Sequence, residues 1–262
     1  MINIAGSATL SISVTVSAFL LISCDNNTRD FKQTAPPIRV GSAYPVTMNS
    51  LTAYSGWRGA RPEASEYNVQ LYVQSFDTLV FQSEHNGYDP FIRKYSKAIK
   101  YWVLGDQPRQ FENEILILSS ELNIATGMPV LKSTSQELAN VWVSFTTDQN
   151  TRRQCVADIS FNRDGSVYRS IIFIAPKYQG GELFKCLTEE LTQSLGPSND
   201  VDIVPESIWR PLEKKTFERL TWHDAIILRT LYDERLKPGM HRDQAMPLVR
   251  QILREVLEDI NR

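Results

Sequence analysis

The chain has 262 residues, is 42% hydrophobic and 22% charged, and carries a formal charge of −2. That composition is ordinary for a folded globular protein and argues against a disordered polypeptide. A near-neutral chain offers no basic field to a phosphate backbone, so nucleic acid is not an expected partner.

The first segment, "MINIAGSATLSISVTVSAFLLISC", has no charged side chain and ends in the apolar run Ala18–Ile22 followed by Ser23 and Cys24. A short apolar stretch with small residues before its break reads as a secretory leader. A spanning helix is the alternative, but the segment is rich in Ser and Thr for that role. The ending "LISC" resembles the bacterial lipobox, although no Lys or Arg precedes it. The resemblance implies acylation of Cys24, which would hold the chain on a membrane at the periplasmic face of the cell envelope. Asp25 after the cysteine resembles an inner-membrane retention signal of enteric bacteria. The expected organisation is a signal peptide over 1–23, a flexible tether and domain edge over 24–64, and a folded domain over 65–262.

Residues 25–62 are rich in Asn, Thr, Ser, Pro and Gly, with a short strand expected at Ile38–Val40. Val69, Tyr72, Val73, Phe76, Leu79 and Val80 then recur at helical spacing, predicting a helix over 65–82, which "SEHNGYDP" breaks. "AIKYWVLG" (98–105) is a strand candidate. Pro108 opens a helix whose buried stripe is Phe111, Ile115, Leu118 and Leu122. "ANVWVSFTT" (139–147) alternates as a strand should, and Asn162–Gly165 reads as a hairpin turn between two further strands. Helices are expected over 182–195, near 222–232 and near 246–260. The order implies an α+β domain with a sheet covered by helices.

The helix over 182–195 carries the chemistry of interest. Leu183, Leu187, Leu191 and Leu195 form one stripe, while Cys186, Glu189, Glu190 and Gln193 lie on the polar side. With Cys24 acylated, Cys155 and Cys186 remain; an oxidising compartment suggests that they form a disulfide, the alternative being two buried thiols.

"CLTEELTQSLGPSND" follows the spacing of the metzincin pattern H-E-x-x-H-x-x-G-x-x-H, with every histidine absent. Glu189, Gln193 and Asn199 fall on the three ligand positions, Glu190 on the general base and Gly196 on the turn glycine. Upstream, "WVLGDQP…LNIATGMPVL…ANVWVSF" resembles the zincin order of strand, long helix, turn and strand. Downstream, "LTWHDAIILRTLYDERL" resembles a zincin helix, with Thr221 and Asp224 as its capping pair. Trp209 stands where a Met-turn methionine would lie. The segments C-L-x-E-E-x-x-Q-x-L-G-x-x-N-D and L-Y-x-x-x-L-x-P-G-M also resemble a proteobacterial domain-of-unknown-function family of lipoproteins. The resemblances imply a zincin-like α+β fold with a degenerate active-site cluster of Glu189, Glu190, Gln193, Gly196, Asn199 and Asp200.

One carboxylate and two amides make a poor zinc site, so no metal or other cofactor is expected, with Glu189 and His241 the weak ligand candidates. His85, His223 and His241 show no i, i+4 pair and read as structural or solvated. No serine elbow or phosphate-cradling loop is present. The expected function is a membrane-anchored envelope lipoprotein whose pseudo-metallopeptidase domain binds a protein or peptide. The alternatives are a hydrolase with an oxygen-ligated metal, a structural envelope component, and a solvated helix face with no ligand.

Overall fold

In a computed structural model of the chain, residues 51–83, 87–146, 155–210 and 217–262 are described. The leader, the anchor at Cys24, the strand expected at Ile38–Val40 and His85 lie outside these residues. All four segments belong to a compact unit spanning Ala35–Arg262.

Helix α1 (Glu66–Phe81) is capped by Ser65, whose side chain accepts from the Asn68 amide. Its expected stripe is buried, Phe76 and Leu79 completely. A two-residue ribbon, β1 (Gln82–Ser83) with β2 (Gly87–Tyr88), and the short β3 (Lys94–Tyr95) lead to β4 (Ile99–Leu104). Helix α2 (Phe111–Thr126) then ends at Gly127, which takes the left-handed conformation (φ 72°) and donates to Asn123 O. Next come β5 (Val130–Lys132), β6 (Val141–Ser144), β7 (Cys155–Phe161) and β8 (Ser166–Ile174). Helices α3 (Gly180–Gln193), α4 (Trp222–Leu231) and α5 (Arg242–Ile260) complete the α+β unit.

The main sheet is mostly parallel, in the order β3-β8-β6-β4-β5. β8 residues Ser170–Phe173 pair in parallel with β6 and antiparallel with β7, so those two strands flank it and β7 is the outer one. Residues 141–144, within the strand expected from its alternation, therefore sit inside the sheet between β4 and β8. They do not supply its free edge.

Buried cations close two helix ends. The Arg229 guanidinium donates to Ala125 O (2.9 Å) and Ile124 O at the carbonyl end of α2. The Lys94 ammonium donates to Leu231 O (2.7 Å) at the end of α4, where burial pushes its pKa down to about 8. The "PGM" turn has a packing reason. Gly165 in the β7–β8 turn has φ 83°, and a Cβ there would fall 2.2 Å from Gly239 N. Only two glycines let these turns touch.

Candidate functional site

α3 buries Leu183, Leu187 and Leu191 against the core, and Leu195 just beyond its end is buried with them, as the periodicity predicts. Its polar side is covered too: Glu189, Glu190 and Gln193 are 9%, 6% and 8% exposed. The solvated face considered from sequence is thus not what the fold presents. Strand β7 and the 88–93 segment rise beside α3, and a cleft of about 520 Å³ lies between them.

A disulfide joins Cys155, the first residue of β7, to Cys186 on α3. It ties the outer strand to the helix that floors the cleft. Glu190 Oε1 lies 3.3 Å from Cys155 Sγ. A disulfide sulfur has no proton to donate, so this is a contact and not a hydrogen bond. Glu189 is close by, with ligand atoms of Cys155, Glu189 and Glu190 all within 4.8 Å of one another. Because the sulfur is oxidised, only the two carboxylates could ligate a metal. Two carboxylates from adjacent helix residues fall short of the six or more oxygens that calcium favours and lack the soft or imidazole donors of zinc. Their charge is felt at Tyr178, whose phenol is pushed up by burial first, then by Glu182, Glu189 and Glu190.

Gly196 ends the floor with φ 134°, and a Cβ on it would lie 2.4 Å from Arg93 O. A side chain here would force the 88–93 wall away from α3. After it the chain turns toward α1: Ser198 N donates to Leu79 O (2.8 Å), and Asn199 Nδ2 to Thr78 O (3.3 Å). Of the residues aligned with the metzincin pattern, Glu190, Gln193 and Gly196 line the cleft. Glu189 lies beside Glu190, Asn199 is turned to Thr78, and Asp200 follows it, half-buried.

Trp209 is fully buried, and its indole N–H donates to Thr192 Oγ1 (3.0 Å) on α3. Tyr232 of the L-Y segment donates its phenol proton to Leu195 O (2.9 Å), holding the end of the same helix. His241 caps α5, its ring accepting from Asp243 N, and packs edge-on against Phe91 with centroids 5.4 Å apart. It stands behind a cleft wall and is not among the lining residues. His223 is buried, as its structural reading expects.

Sequence reasoning missed the second wall. Tyr88, Phe91 and Arg93 line the cleft from a segment without periodicity, where only a helix break is legible. Arg93 is clasped by Asp89 (2.8 and 3.3 Å) and stacked 4.1 Å over the Phe161 ring.

An α+β body with an outer strand cross-linked to a cleft-flooring helix is the class that fold and site define. The family described as Protein of unknown function (DUF2927) matches residues 70–251, and the chain belongs to that family. No curated protein is matched by the chain.

Proposed function

We propose that this domain is a peptide-binding module on a zincin-like scaffold that has lost its zinc ligands, carried by a lipid-anchored protein of the cell envelope. The observation that supports it best is the way β7 meets the cleft. Cys155, Val156, Ala157, Asp158 and Ile159 all line it, in unbroken succession. Successive strand side chains point to opposite faces, so a ligand lying on one face would meet only alternate residues. A groove touching every residue runs along the strand's edge. Such an edge carries main-chain N–H and C=O groups that accept an added strand, the recognition mode in which backbone bonds supply affinity and pockets supply specificity.

The scaffold kinship draws support from the order β4, α2, glycine turn, β5, β6, and from α3 ending in a glycine turn. The buried Trp209 beneath α3 and the capped α4 add to it. In this reading Glu190 and Gln193 remain as a polar floor that hydrogen-bonds a peptide instead of activating water. Backbone amide NMR tests it: titration with an extended peptide should shift and protect amides of 155–161 while leaving 141–144 unperturbed. Stoichiometric divalent metal in the purified chain, lost together with hydrolytic activity in Glu189→Ala, would instead establish the metal-dependent hydrolase.

A further inference from the structure

Resting on that peptide-binding reading, we infer that the cleft selects an extended segment bearing lysine or arginine side chains. Among the described lining residues the charged groups are Asp89, Asp158 and Glu190 against the single cation Arg93. Asp89 already holds Arg93 through both guanidinium contacts, so the base adds no net positive field. The chain as a whole carries a formal charge of only −2.

The aromatic rim acts in the same sense. Tyr88, Phe91 and Phe161 are 61%, 39% and 46% exposed, and all three line this one cleft. Exposed aromatics gathered at one place mark a contact surface. Aromatic faces carry negative potential and attract a cation laid over them, guanidinium above all. The protein uses this chemistry itself: Arg93 lies 4.1 Å from the Phe161 centroid and 5.5 Å from that of Phe91. A strand added along β7 would turn alternate side chains inward, roughly 7 Å apart. One basic side chain would reach Asp158 or Glu190, and another would lay its stem along the aromatic rim.

The probe is a set of acetylated, amidated nonapeptides of alternating Thr and Val, with Lys, Ala or Glu at two central positions. Their binding to the full, oxidised chain is read by fluorescence anisotropy at low and high salt. The lysine peptide should bind about tenfold more tightly than the alanine one, and the glutamate peptide most weakly, with the differences shrinking as salt rises. Asp158→Asn, at an exposed strand position where folding is not at risk, should cut the lysine advantage several-fold; Glu190→Gln should do the same where the variant folds. Equal binding of all three peptides, with the β7 amide shifts intact, would overturn the charge selection and leave the peptide reading standing. No binding and no β7 shift would overturn both.

Discussion

Two places in this protein look catalytic on paper, and they differ in access. One is the floor of the cleft on α3, with Glu190 and Gln193 beside a disulfide. The other is a Ser–His–Asp chain: Ser75 Oγ lies 2.8 Å from His223 Nε2, and His223 Nδ1 lies 3.3 Å from Asp224 Oδ1. By residue type the second resembles a hydrolytic triad. Yet Ser75 and Asp224 are fully buried and His223 nearly so, and none of the three lines the cleft. Asp224 instead gathers Thr221 N and Oγ1, Ser207 Oγ and Ile208 N, joining the start of α4 to the 207–208 turn. Good triad spacing around a buried serine makes a structural node; a broken metal motif beside a groove makes a candidate binding site. Access to a ligand, more than the identity of the residues, separates them.

The contrast can be broken most forcefully at Asp224. Asp224→Ala strands several buried donors, so it should lower stability by about 4 to 5 kcal/mol, read as a shift of the urea midpoint. A loss below about 1 kcal/mol would mean that the node does not hold the fold. The cleft has its own covalent support. Replacing Cys155 and Cys186 together by Ser opens a loop of sequence separation 31; it should cost about 4 kcal/mol on the chain-entropy account and loosen peptide binding, because β7 is then no longer tied to α3. Unchanged peptide affinity in that variant would detach the disulfide from the site.

A third buried acid sharpens the comparison through pH. Glu121 accepts from Tyr54 Oη (2.8 Å), its other carboxylate oxygen has no partner, and Arg219 Nε stays 3.6 Å away. Burial pushes this carboxyl up to about 7. A raised carboxyl favours the folded protein below the unfolded pKa near 4.5, and that contribution is lost as pH rises toward 7. Melting temperature should therefore fall between pH 5 and 7.5 in the wild type. Glu121→Gln should remove that component and gain about 2 to 3 kcal/mol at pH 8. A wild-type melting curve that is flat over this range would show that the carboxyl titrates normally. Asp224, with donors on both oxygens, is the satisfied counterpart.

Much of the fold was legible from local signals. The stripes of α1, α2 and α3 appear where 3.6-residue spacing puts them, and the Asn162–Gly165 turn joins β7 to β8. Thr221 and Asp224 form the capping box that their spacing implies. The candidate site was legible only in part. Glu190, Gln193 and Gly196 came from a motif, whereas the Tyr88–Arg93 wall has no pattern to reveal it, being held by long-range contacts such as Ile92 N to Met240 O. Residues 141–144 alternate as a strand should, but alternation does not report position in the sheet.

The amino-acid sequence by itself determined the helices, the strands β4, β6, β7 and β8, the hairpin and the cap of α4, because each depends on residues within a turn or two of one another; the start of α2 moved from the expected Pro108 to Phe111. Tertiary structure alone decided that β7 is the outer strand, that the polar side of α3 is covered, and that Asn199 turns to Thr78. The last of these joins positions 121 residues apart. Such outcomes are chosen by how the whole core packs, which no local spacing encodes.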